Sequence, residues 1–199
     1  MLFRSIIALA LTLAGGQTVA DVRQLYDAGR YQEAVRAADH VAAEPDKASR
    51  VQFLAAQSLA KLKDDDGARR GYVHLAESQE QPWGAIGKSA VQVMDNQLDE
   101  ALASADQAVS QAGSVAEAQY QRGMVLMMRR DYGEAANAFA KAVQLDPDFA
   151  AAYYNAGLAN SRIKRLDLTG SNYEAFLKIA PNAPERPQVE SILRTLRGR

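Results

Sequence analysis

The chain has 199 residues, 48% of them hydrophobic, and a formal net charge of −1 with acids and bases mixed along its length. No basic stripe argues for nucleic acid, and no acidic tail argues for a charge-driven partner. The absence of cysteine excludes disulfides, a thiolate nucleophile and thiolate metal sites.

Residues 1–20 differ in kind from the rest. Arg4 makes a short positive start, Ile6 to Leu13 form an apolar run, Gly15-Gly16 break it, and Thr18-Val19-Ala20 end in small residues. This pattern predicts a secretory signal peptide cleaved after Ala20, with export to the periplasm. The apolar run falls well short of the ~20 residues that span a bilayer, so no membrane insertion is expected after cleavage.

Next come helices over 21–28 and 31–43, with Gly29, Tyr31 and Ala34 at and after the turn between them. A second pair spans about 49–81, with Ala56, Ala68, Tyr72 and Leu75 as its packing positions. Asp64-Asp65-Asp66 stand where its second helix begins, where acids oppose the helix macrodipole. They lack the alternating ligands and final Glu of a calcium loop, so no metal is expected there. A third stretch, about 82–115, is the most degenerate: Ser89 and Ala105 stand where other stretches carry a small residue and an aromatic ring.

The stretch 116–149 is the most regular. Numbered from Ala116, Gly123 falls at position 8, Tyr132 at 17, Ala135 at 20, Phe139 at 24, Ala142 at 27 and Pro147 at 32. These residues resemble the signature of the tetratricopeptide repeat, a helix-turn-helix unit of about 34 residues. The small residues suit close helix approach, and Phe139 and Ala142 give the second helix an apolar stripe. Asp146-Pro147 ends it, because the residue before proline leaves the α region. A fifth unit, about 150–183, repeats the pattern with Gly157, Tyr173 and Pro181. A last helix, 185–197, places Val189, Ile192, Leu193 and Leu196 on one face, as a helix covering the end of an array requires.

The resemblance implies an all-α, right-handed α-solenoid of antiparallel helix-turn-helix repeats. It comprises a partial repeat at 21–48, full repeats at 49–81, 82–115, 116–149 and 150–183, and a C-terminal capping helix, making one domain of 21–199. It also implies a concave groove lined by the first helix of each unit. Carried over, the groove residues are Phe53, Trp83, Ile86, Met94, Tyr120, Met124, Met127, Met128, Tyr154 and Leu158. Every methionine beyond Met1, and the single tryptophan, lies among them, and methionine suits surfaces that take varied apolar ligands. The repeat-packing residues are Gly123, Ala135, Phe139, Ala142, Pro147, Gly157, Tyr173 and Pro181.

Co-chaperone members of the family hold a C-terminal carboxylate with Lys, Asn and Arg. The matching positions here are Ile86, Ala90, Gln121, Ala151 and Asn155, and only Asn155 is of the right type, so no such clamp is expected. His40 and His74 share one repeat position and do not cluster as metal ligands would, and the serines lack a nucleophile elbow. The expected function is therefore non-catalytic protein binding without cofactor or metal. A monomeric periplasmic adaptor or assembly factor would hold a peptide or helix of a protein partner in the groove. A self-associating envelope scaffold and an accessory subunit of an envelope enzyme are the alternatives.

Overall fold

A residue in the left-handed region recurs along the chain at Gly29, Lys63, Asn96, Arg130 and Lys164, with φ of 73°, 63°, 58°, 66° and 60°. Each closes a helix in the same way. The following N–H bonds back to a carbonyl five residues earlier: Arg30 to Leu25, Asp64 to Leu59, Gln97 to Gln92, Asp131 to Leu126 and Arg165 to Asn160, at 2.9–3.0 Å. This is the Schellman closure, which satisfies orphan carbonyls and reverses the chain. The first of the five is glycine and the third asparagine, which tolerates this region, while Lys63, Arg130 and Lys164 carry the cost of a side chain there, about 1 kcal/mol or more each.

The computed structural model describes residues 18–41 and 45–198, with the side chains of 45 and 46 outside it. Residues 1–17, most of the leader expected over 1–20, lie outside the described residues, as do residues 42–44. Among the described residues there are eleven helices and no strand. They are α1 Val19–Asp27, α2 Tyr31–Val41, α3 Pro45–Lys61, α4 Asp65–Ala76, α5 Trp83–Met94, α6 Leu98–Gln111, α7 Ala116–Met128, α8 Tyr132–Leu145, α9 Ala150–Arg162, α10 Leu166–Ile179 and α11 Arg186–Arg197.

Each helix packs on the next, and α1, α3, α5 and α7 also touch in succession. The architecture is an all-α solenoid of helix pairs with α11 across the end of α10. The expected second helix over 31–43 is described as far as Val41. Pro45 opens α3, since proline is favoured in the first helical turn, and residues 42–44, where the expected helix would stop, lie outside the described residues. Helix α1 starts inside the proposed leader. Thr18 caps it by accepting from Asp21 N–H while Asp21 reaches back to Thr18 N–H at 2.8 Å, a capping box.

The packing positions behave as small-large pairs. A Cβ on Gly123 would lie 2.6 Å from the Phe139 ring, and one on Gly157 would lie 2.6 Å from the Tyr173 ring. In the third unit the pair is replaced as a pair. Ala105 brings no ring, and Ser89 takes the space, its hydroxyl donating to Ala101 C=O at 2.9 Å and accepting from Gln121 at 3.2 Å. Asp64 caps α4 by accepting from Gly67 N–H at 2.9 Å. Val189 and Leu193 of α11 are buried against Tyr173 and Phe176, with Ile192 partly buried beside them.

Candidate functional site

The two ends of the array meet across its inner side. Arg23 of α1 pairs with Asp146, which caps α8, and lies 3.5 Å from the Glu117 carboxylate of α7. Arg50 of α3 approaches the same carboxylate at 2.7 Å. Each guanidinium also covers an aromatic face, Arg23 over Phe149 at 5.4 Å and Arg50 over Trp83 at 5.8 Å. Glu117 is only 2% exposed, so this carboxylate depends on both arginines, as a desolvated charge must. Lys61 at the end of α3 pairs with Glu185 before α11 at 2.9 Å. Gly29 lies so close to Pro184 that a Cβ would sit 2.9 Å from its ring.

Beneath these pairs lies an aromatic layer. Tyr120 packs on Phe149 at 4.8 Å and Phe139 at 5.7 Å, and Asn155 donates to its hydroxyl at 3.4 Å. Tyr154 packs on Phe176 at 5.3 Å and Tyr173 at 6.0 Å. Tyr26 of α1 enters from the other side, and burial pushes its hydroxyl well above the ordinary tyrosine pKa, as it does that of Tyr120. Tyr26, Tyr120, Met124, Tyr154 and Phe176 enclose a residual cleft of about 120 Å³. It opens near a larger cleft of about 1060 Å³, between α1 and the end of α10, lined by Val19, Gln24, Ala28, Lys178 and Asn182 among others.

Asp27 stands where these spaces meet. Its carboxyl is pushed from 3.8 up to about 7, chiefly because burial penalises the charged form. Arg23 opposes that rise, while the like charges of Asp146 and Glu185 add to it. A carboxyl with a raised pKa beside a cleft resembles an acid-base catalyst. Here the causes are burial and the crowding of acids at the meeting of the two ends.

The expected groove is partly corrected. Phe53, Trp83, Ile86 and Tyr120 are buried in the free chain, at 1%, 5%, 0% and 3% exposure, rather than lining an open surface. The array is wound so tightly that α1, α3, α5 and α7 pack on one another in succession. Phe53 meets Trp83 at 6.2 Å and Tyr72 at 6.3 Å. Met124 and Met127 are half-buried against this core. Met94 and Met128 are exposed, at 36% and 52%, and Leu158 and Tyr154 are half-buried. Of the expected groove, Met94 and Met128 remain exposed, and Met124, Tyr154 and Leu158 remain partly accessible along the edge of units four and five. Sequence reasoning gave no site role to Arg23, Asp27, Lys61 or Glu185, and read Asp146 only as a helix end. Their roles come from contacts between chain ends, which no local pattern encodes.

Residues 116–149 match the family model described as tetratricopeptide repeat. A search of curated protein sequences gives no match. Among solved structures the chain is similar to a thermophilic TPR protein of Thermus thermophilus, with 21% identity over 88% of this chain and 96% of that one and a TM-score of 0.62. It is similar to the TPR domain of Arabidopsis OM64, with 18% identity over 62% and 98% and a TM-score of 0.54. A third is the second TPR domain of human RPAP3 in complex with the HSP70 peptide SGPTIEEVD, with 18% identity over 57% and 92% and a TM-score of 0.52. At these identities the likeness is one of fold.

Proposed function

Since this chain is a tetratricopeptide repeat protein, we propose that it is a non-catalytic module that holds a segment of another protein on the inner side of its fourth and fifth units. One observation carries this reading. That surface already holds a helix, α1, through an arginine set on acids and an aromatic face and a tyrosine set among tyrosines. Such a surface recognises a helix by its side chains. The carboxylate clamp of co-chaperone repeats is not matched here: Ile86 is buried and Ala90, Gln121 and Ala151 carry no charge. An acidic C-terminal peptide is therefore not the expected ligand.

The leader-like residues 1–20 support export, with the working protein a periplasmic adaptor or assembly factor. Intact mass of protein recovered from the periplasm tests this: a chain beginning at Asp21 is expected, and one retaining residues 1–20 contradicts it.

The binding face is tested by a photo-crosslinking residue placed in living cells at Lys178, exposed on the larger cleft, or at Val73, exposed on α4. A discrete protein adduct at Lys178 and none at Val73 is expected. The reverse pattern would move the binding face to the outer helices.

A further inference from the structure

We propose that α1 occupies the inner surface of units four and five in place of a partner, and that the partner is a helix carrying an arginine and, three residues on, an aromatic residue, followed by a residue that is not acidic. This rests on the reading above that the inner surface binds a protein segment.

The receiving side is defined by chemistry. Glu117 and Asp146 supply two acids, and the Phe149 ring lies beneath the guanidinium they hold. One turn along, Tyr120 and Tyr154 flank the place where Tyr26 enters. Residues three apart share a helix face, so Arg23 and Tyr26 reach this surface together. A bidentate, stackable cation is what this site fits, and arginine meets both needs where lysine does not.

Helix α1 is also a poor holder of the site. It spans nine residues, below the about 12–15 at which an isolated helix becomes stable in water, so it lapses into coil once lifted. Its last turn carries no base and ends in Asp27, whose acid sits at the unfavourable end of the helix dipole. There Asp27 lines the same small cleft as Glu185, and the like charges of Asp146 and Glu185 act against its own. Removal of residues 1–20 would also remove Thr18 and with it the N-cap. An external helix with Arg and Tyr in the same places, and Asn or Lys in place of Asp27, keeps the contacts of the Arg and Tyr with units four and five and avoids burying a carboxylate beside other acids.

The probes are labelled 13-residue peptides spanning residues 18–30 of this chain, read by fluorescence anisotropy against the full chain. Wild-type protein is compared with the Arg23→Glu/Tyr26→Ala variant, whose own helix no longer fits. The native peptide should bind the variant at least about tenfold more tightly than wild type, because the tethered helix competes at high effective concentration. An Arg23→Glu peptide should bind the variant at least about tenfold more weakly than the native peptide, the loss of one charge-assisted contact. An Asp27→Asn peptide should bind more tightly than the native one at pH 8.

Equal binding of the native and Arg23→Glu peptides, or no binding by a variant that keeps its helical circular dichroism, overturns the proposal. Should the double variant lose its helix, the unaltered protein decides. Excess Asp27→Asn peptide should speed amide exchange over residues 21–28 while leaving 116–128 protected, and unchanged exchange overturns the proposal. A doubling of mass that abolishes peptide binding to the wild type assigns the surface to a second copy and also overturns it. The two readings fail separately. Peptides that behave as expected with no crosslink at Lys178 in cells sink the binding function alone. A crosslinked partner with unchanged exchange in α1 sinks the displaced helix alone.

Discussion

Arg23 and Asp146 stand 123 residues apart in the chain and form an ion pair that joins the first helix pair of the solenoid to the fourth. With Lys61–Glu185 and the contact of Gly29 on Pro184, it turns an array that could have stayed open into one whose ends meet.

Arg23→Ala should therefore cost more than an ordinary surface change. It leaves the buried Glu117 carboxylate with Arg50 alone, and removing a partner from a buried polar group costs about 1–3 kcal/mol. Asp146→Ala should cost less, about 0.5–1 kcal/mol, because its side chain is 24% exposed and solvent screens the pair. Urea titrations of the two single variants and the double variant check this. Strict additivity would show that the two residues do not interact.

Gly123→Ala should destabilise the protein by about 1–3 kcal/mol, since the new Cβ would sit 2.6 Å from the Phe139 ring and a packed core cannot absorb it without shifting. Gly133→Ala, with nothing within 4 Å of the new Cβ, should instead be neutral or stabilise by up to about 1 kcal/mol through the unfolded chain. Thermal melts of the pair decide. Equal effects would mean that the two glycines do not differ in their surroundings.

Asp27 makes stability depend on pH. Below about pH 4 its carboxyl is neutral in both the folded and the unfolded chain and contributes nothing. Between 3.8 and about 7 the unfolded chain releases its proton while the folded one retains it, so stability falls as pH rises through that window and levels off above it. Burial is the chief cause; Arg23 opposes the shift and Asp146 and Glu185 add to it, and Lys61 and Tyr31 line the same cleft. Asp27→Asn should raise stability at pH 8 by about 1–2 kcal/mol, less than the full shift implies because the side chain is partly exposed. It should change little at pH 4. Denaturant titrations at the two pH values test this, and a gain that is equal at both would contradict it.

Tyr120→Asp should melt the array, because it buries a carboxylate at a site only 3% exposed. Met128→Asp, at a site 52% exposed, should stay within about 0.5 kcal/mol of wild type. Circular dichroism of the two variants separates them, and a folded Tyr120→Asp protein would restore Tyr120 to an open groove.

The repeat architecture was legible in the sequence because it is local. Gly123, Phe139 and Pro147 each act within one helix pair, and a fixed count along the chain finds them. The turn at Gly29 was legible for the same reason, while Lys63, Arg130 and Lys164 close their helices in the left-handed region without the Gly or Asn that signals it. The site was less legible because its exposure depends on how tightly successive pairs wind. Phe53, Trp83, Ile86 and Tyr120 do sit on inner helices, as their repeat positions imply, but α1 and the neighbouring units cover them. Position in a repeat says which way a residue points, and winding decides whether anything stands in front of it.

The closing of the two ends is measured most directly by a distance. The chain has no cysteine, so spin labels at Gln24→Cys and Asn182→Cys, both exposed on the larger cleft, report on this pair of sites alone. The protein described above gives one narrow, short distance distribution that does not change on dilution and that broadens to longer distances with Arg23→Glu. A broad distribution in the otherwise unaltered protein, indifferent to Arg23, would mean that the ends do not meet and that α1 does not hold the inner surface.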